Sequence, residues 1–169
     1  MTSTVSGAPP HIDAILQGTS QTLEALFGQS PTLGKLQMHP AATPTDAEVN
    51  VLVGFTGGVS GQILIGIDVA EALAMASLLM MSEVTSFDEI TQSALAEVGN
   101  MIAGSCATQL HAQGIESNIT VPTIIQGQQV RVSWPNLYLQ KTTIQVPFGA
   151  IQLAIGLKIT RDGAEGGAS

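Results

Sequence analysis

The run AIQLAIGLKIT, residues 150–160, places apolar side chains at Ile151, Leu153, Ile155, Leu157 and Ile159, every second position. Successive side chains of a strand point to opposite faces, so this alternation predicts a strand with one buried side. A sheet with a buried face needs a second layer to cover it. The rest of the chain must therefore supply both the remaining strands and that cover.

Strand signals gather around a hairpin and in the last third. EVNVLVGF and VSGQILIGI are β-rich runs joined by a turn at Gly57 and Gly58. PTIIQGQQVRVSW and LYLQKTTIQVPF read as further strands, and GKLQMHPAATP as a strand interrupted by prolines. Three segments carry helical signals. The first runs from about Pro10 to Gly28, with Ile12, Leu16, Thr19, Leu23 and Leu26 at helical spacing. In the second, Asp68 and Glu71 form a capping-box pattern ahead of VAEALAMASLLMM, which is apolar on most sides and so predicts a packed helix. In the third, Ser86 and Glu89 form the same pattern and open a long helix from Phe87 to about Gln113, with Gly114 as its stop. Strands flanking packed helices predict an α+β fold with a mainly antiparallel sheet. Residues 10–160 read as one domain, with polar, Gly-rich tails at 1–9 and 161–169.

Composition excludes several classes of function. With five Lys and Arg against thirteen Asp and Glu, net charge −8, the chain has no cationic surface for nucleic acid or for an anionic membrane. No apolar stretch is long enough to span a bilayer, and the first residues lack the basic and apolar regions of a secretory signal. One cysteine, Cys106, forbids an internal disulfide. These features predict a cytoplasmic protein.

The long helix holds the candidate site, in ALAEVGNMIAG, residues 94–104. At ~100° per residue, Leu95, Val98, Ile102 and Cys106 share one face, the stripe that should pack on the sheet. Ser93, Glu97, Asn100, Gly104 and His111 fall within roughly 60° on another side. Ile90 and Met101 border that row as apolar contacts, and Gly104 leaves room for another surface to come close. Gly99 falls toward the buried side, where it permits close packing. A Glu followed three residues later by an Asn also occurs on ordinary solvated helix faces. What the pair can do chemically is narrow. A carboxamide both accepts and donates hydrogen bonds, so it can hold an attacking water, and a carboxylate can pair with a partner's lysine. Neither is a strong nucleophile, so the pair suits an activated bond such as an acyl phosphate, where positioning dominates.

These residues carry a family resemblance. SALAEVGNMIAG resembles the signature of the CheC/CheX/FliY chemotaxis phosphatases: Ser or Asp, three residues, Glu, two residues, Asn, and a small residue beyond. Ser93, Glu97 and Asn100 match it and Gly104 extends it. VNVLVGFTGGVSGQILIGI and NITVPTIIQGQQVRV resemble the corresponding CheX segments, and the similarity covers roughly residues 10–160. A single motif is present, as in CheX; CheC relatives usually carry two. The resemblance implies an α/β sandwich, often a homodimer joined through sheet edges, that hydrolyses the phospho-aspartate of a CheY-like response regulator. It implies that Glu97 engages the regulator's lysine, that Asn100 orients the water and that Ser93 supports the helix face. It also implies that Mg2+ belongs to the regulator, so that the chain needs no cofactor of its own. The alternative from another class is a non-catalytic CheX-like module that binds a signalling or flagellar-switch partner through the same surface.

Other candidates carry less. GFTGGVSG lies between strands and lacks the Lys and the Ser or Thr that complete a phosphate-binding loop. Cys106 sits on the core stripe, which predicts a buried, inert thiol. His11, His39 and His111 are dispersed without metal-ligand spacing, and His111 alone shares the side of Glu97 and Asn100.

Overall fold

The computed structural model describes residues 7–40 and 42–160. Of the expected tails at 1–9 and 161–169, residues 1–6 and 161–169 lie outside the described residues. Ahead of residue 10, Ala8 packs against the core and the Pro9 carbonyl accepts from the backbone N–H groups of Ile12 and Asp13.

Helix α1, Pro10–Phe27, is followed by three short strands, β1 (Thr32–Leu33), β2 (Gln37–His39) and β3 (Ala42–Pro44). The hairpin β4 (Val49–Gly57) and β5 (Val59–Ile67) leads into α2 (Val69–Met80) and α3 (Glu89–Ala112). Strands β6 (Ser117–Ile119), β7 (Thr123–Gln126), β8 (Arg131–Ser133), β9 (Leu139–Val146) and β10 (Gly149–Ile159) complete the described chain. An eight-stranded sheet runs β1-β9-β10-β5-β4-β6, with β2 also on β9 and β7 also on β4. Every pairing is antiparallel. The fold is α+β, as the residue patterns predicted.

Alternation along β10 is what aligns the core. In register, Ile155 pairs with Ile63 and Ile63 with Val53, while Leu153 pairs with Ile65 and Ile65 with Val51. Two apolar rows thus cross the three central strands on the face that the helices cover. Ile12, Ile15, Leu16 and Leu23 of α1 and Leu95, Val98 and Ile102 of α3 bury against it. Each such side chain contributes roughly 1.5–3 kcal/mol when fully buried. The opposite face holds a smaller cluster of Leu64, Trp134, Leu139 and Ala154 beside the two-stranded β3-β8 ribbon, where Trp134 Nε1–H donates to Gln62 Oε1 at 2.9 Å. The sheet is therefore covered on both sides, which is why Ala154 is as buried as its alternating neighbours.

Several expectations need correction. Ile159, the last residue of the alternating run, is exposed, although Ile151 to Leu157 of the same run are buried. PTIIQGQQVRVSW is not one strand: a turn with Gln129 at φ 53° divides it into β7 on the main sheet and β8 on the ribbon. GKLQMHPAATP likewise splits into β2 and β3, on different sheets. Asp68 occupies the cap position of α2, but its side chain makes no cap bond there and instead accepts from Glu48 N–H at 3.1 Å. Glu48 Oε2 satisfies Val69 N–H at 2.9 Å, so the cap comes from a residue twenty-one positions upstream rather than from Glu71. Nor is α2 packed all round: Ala72, Met75 and Ala76 are buried, whereas Leu78 and Met80 are exposed.

The helices meet at a tight crossing. A Cβ placed on Gly18 of α1 would lie 2.5 Å from the backbone nitrogen of Cys106 on α3. Backbone cannot yield as a flexible side chain does, so α1 and α3 touch only because Gly18 has no side chain. Gly18→Ala is expected to destabilise the protein by about 2–3 kcal/mol, the scale of overpacking in a close-packed core. Equilibrium urea unfolding checks it; an unchanged midpoint would mean that the crossing is looser than this.

Candidate functional site

The site is built on the outward face of α3, and the first question is what fixes that helix. Its N-cap is Asp88, not Ser86, and the helix opens at Glu89 rather than Phe87. Asp88 Oδ1 accepts from the backbone N–H groups of Ile90 at 3.1 Å and Thr91 at 3.2 Å. Ser86 keeps a supporting part, since its hydroxyl donates to Asp88 Oδ2 at 3.2 Å and its carbonyl accepts from buried Thr91 Oγ1 at 2.8 Å. A carboxylate satisfies two orphan helix donors where the Ser–Glu pattern would have used a hydroxyl. At the other end Gly114, at φ 78°, donates to His111 O while Ile115 N–H reaches back to Leu110 O. That is a Schellman closure, and Ile115 packs on the core beside it.

Between these ends the inward face is closed and the outward face is open. Leu95, Val98, Ile102 and Cys106 are buried, as their spacing predicted, and Gly99 joins them. A Cβ on Gly99 would meet Val51 Cγ1 at 2.7 Å, so α3 rides directly on β4 at that turn. Cys106 Sγ donates to Ile15 O at 3.4 Å, and burial pushes its thiol up to about 12. The thiolate required of a nucleophile is thus suppressed. Ser93, Glu97 and Asn100 are exposed, Ile90 and Met101 remain 59% and 40% exposed, and nothing lies within 4 Å of a Cβ placed on Gly104. All six residues predicted from the helical wheel for catalysis and docking therefore share one accessible face. Glu97 and Asn100 lie about 4.5 Å apart along the axis.

His111 does not join them. It lies eleven residues beyond Asn100, about 16 Å along the axis, and its Nδ1 is 2.7 Å from Glu116 Oε1. His11 is half-buried and its imidazole is held below its ordinary pKa, chiefly by burial, with a Leu157 backbone hydrogen bond acting the other way. Among the described residues no three His, Cys, Asp or Glu side chains are grouped to hold a metal ion. GFTGGVSG is the β4–β5 hairpin turn and does not open a helix.

Sequence reasoning missed two features of this region. Asp88 stands two residues before Ile90 and was a readable cap signal, masked by the Ser86–Glu89 pattern. Met81, just past α2, adopts a left-handed conformation, φ 51° and ψ 33°, at 87% exposure, which no residue preference announces.

The surface so placed can be set beside known proteins. The family model described as chemotaxis phosphatase CheX matches residues 49–149. A CheY-P phosphatase CheX of Thermotoga maritima is 30% identical over 122 residues, 72% of this chain and 78% of that protein. Among solved structures, a CheX–CheY–BeF3–Mg2+ complex from Borrelia burgdorferi matches with TM-score 0.73 and 30% identity, covering 88% of this chain and 97% of that one. A CheC-like protein from Shewanella sp. PV-4 matches with TM-score 0.79 at 17% identity, over 89% and 99% of the two chains, a likeness of fold.

The cap gives a prediction with a definite sign. The hydrogen bond from Thr91 N–H, with those from the Ser86 hydroxyl and Ile90 N–H, holds the Asp88 carboxyl below its ordinary pKa. A depressed folded-state pKa contributes stability above the unfolded value, about 3.9, which is lost as pH falls through the folded one. Asp88→Ala is therefore expected to be less stable than wild type at pH 7, with the gap narrowing below about pH 4. Urea melts of both proteins across pH check it; a gap that stays constant would remove the charged cap from the account.

Proposed function

The chain belongs to the CheX chemotaxis phosphatase family, and from that premise we propose that it hydrolyses the phospho-aspartate of a CheY-like response regulator. The observation that carries the reading is the row Ser93, Glu97, Asn100 on one exposed, rigidly seated helix face. An acyl phosphate is already activated, so the catalyst must chiefly deliver water in line with the phosphorus–oxygen bond. Asn100 accepts a hydrogen bond from that water through its carboxamide oxygen and steers it through its amide N–H groups. Glu97, one turn away, pairs with the regulator's lysine and sets the register in which Asn100 reaches the phosphoryl group. Water attacks phosphorus, the aspartate carboxylate leaves, and inorganic phosphate is released. Mg2+ in this scheme is bound by the regulator. Ser93 keeps the row polar toward the helix start, while Ile90 and Met101 supply apolar contact and Gly104 admits the regulator's surface.

The reading extends to one CheX-like domain over residues 10–160, to a cytoplasmic setting, where such regulators work, and to a homodimer joined through sheet edges. Among the described residues β1 and β2 pair only with β9, and β6 and β7 only with β4, so both sides of the sheet end in strands of two to four residues.

The test is dephosphorylation of the source organism's own CheY-like receiver domains in Mg2+. Wild type is expected to accelerate phosphate loss from one of them. Asn100→Ala should return the decay to the spontaneous rate with binding retained, and Glu97→Ala should weaken both binding and decay. Equal decay with wild type and Asn100→Ala would instead leave a binding module that acts on no phosphate.

A further inference from the structure

We propose that the exposed apolar end of α2, centred on Met81, is a second docking contact for the same regulator, which meets it with a cationic surface enclosing an apolar pocket. The inference rests on the proposed function for the regulator's identity. It deepens that reading by assigning part of the affinity and specificity to residues outside the Ser93–Gly104 row.

The first observation is where exposed hydrophobic side chains gather. Of the nine large ones among the described residues, Leu78, Met80, Met81, Ile90 and Met101 all belong to the end of α2 and to α3. The other four, Met38, Val121, Tyr138 and Ile159, are spread over strands and their links. Scattered exposed apolar residues are ordinary, whereas a group beside a polar catalytic row marks an interaction surface.

The second observation is how Met81 is held. It ends α2 in the left-handed region, the place where glycine or asparagine usually closes a helix. A Cβ makes that conformation costly, and full exposure gives no packing in return. The link to α3 is nonetheless tied down. Met81 N–H donates to Ser77 O, Val84 N–H donates to Ser77 Oγ at 2.9 Å, and Thr91 Oγ1 binds Ser86 O at the far end. Residues 82–87 thus join Met81 to the start of α3, the end of the helix that carries Ile90. A strained, exposed and locally braced methionine is placed for contact, and its flexible thioether suits an irregular apolar pocket.

The third observation fixes the partner's chemistry. Helices α1, α2 and α3 contain no Lys or Arg, while Asp13, Glu24, Glu71, Glu89 and Glu97 lie on them and Glu83 and Asp88 on the connecting link. The four Lys and Arg among the described residues, Lys35, Arg131, Lys141 and Lys158, all lie on strands or their links. Apart from His11 and His111, the ionisable side chains of these helices and their link other than buried Cys106 are therefore all acidic, and the complementary occupant carries cations around an apolar recess.

The test uses Met81→Asn, because asparagine accepts the left-handed conformation and removes the apolar contact. Wild type and variant are titrated with each receiver domain activated by beryllofluoride and Mg2+, and KM and kcat are measured with the phosphorylated form. The proposal expects thermal stability at or above wild type, Kd and KM raised about tenfold, and kcat unchanged. A wild type that acts on a receiver, with Met81→Asn matching its Kd and KM, would overturn this contact and leave the proposed function standing. A wild type that neither binds nor dephosphorylates any receiver would remove both. A fall in kcat at unchanged KM would also overturn it, since Met81 would then act through α3 and not by contact.

Discussion

The close seating of α3 is the constraint on which the rest of the molecule depends. At Gly99 the helix rests on Val51 of the central strand β4, and at Cys106 its backbone meets Gly18 of α1. Neither contact leaves room for a methyl group, so the helix is fixed in height and rotation at two points about ten ångströms apart along its axis. Rotation decides the function, because turning α3 by one residue, ~100°, would carry Glu97 and Asn100 out of the exposed row. The apolar rows Val53–Ile63–Ile155 and Val51–Ile65–Leu153 provide the flat bed on which this seating occurs.

A rigid seat matters for this chemistry more than for most. A carboxamide contributes no charge and no strong base, so its effect comes only from where it holds a water. A helix capped at one end by Asp88 and closed at the other by Gly114 does not fray across the residues that must be held still. Cys106, the one thiol in α3, faces the core with its ionisation suppressed. Fold and mechanism thus divide α3 between them: the inward face is packing, the outward face is positioning.

Much of this was legible in the residues. Strict periodicity survives tertiary context, so the β10 alternation from Ile151 to Leu157 and the buried stripe of α3 were read correctly, Gly99 included. That the candidate site residues share an exposed face was legible for the same reason, since a helical wheel needs no knowledge of the neighbours. What failed was set by contacts distant in sequence or by competing local patterns. Glu48 caps α2 from across a hairpin, a partnership no window of sequence contains. Asp88 displaced Ser86 because a carboxylate reaching two backbone N–H groups outcompetes a hydroxyl reaching one. The strand at 122–134 divided because Gln129 adopts a left-handed turn that its side chain does not advertise. The substrate was never legible from physics alone; it entered through the family resemblance, which the family match then supported.

The most direct test of this division of labour is single-turnover decay of the phosphorylated receiver at rising enzyme concentration, to saturation, for Glu97→Ala and Asn100→Ala. If Glu97 docks and Asn100 positions the water, excess Glu97→Ala restores a large part of the wild-type rate, whereas no concentration of Asn100→Ala lifts decay above the spontaneous rate. An Asn100→Ala protein that recovers at saturation while Glu97→Ala does not would contradict the account.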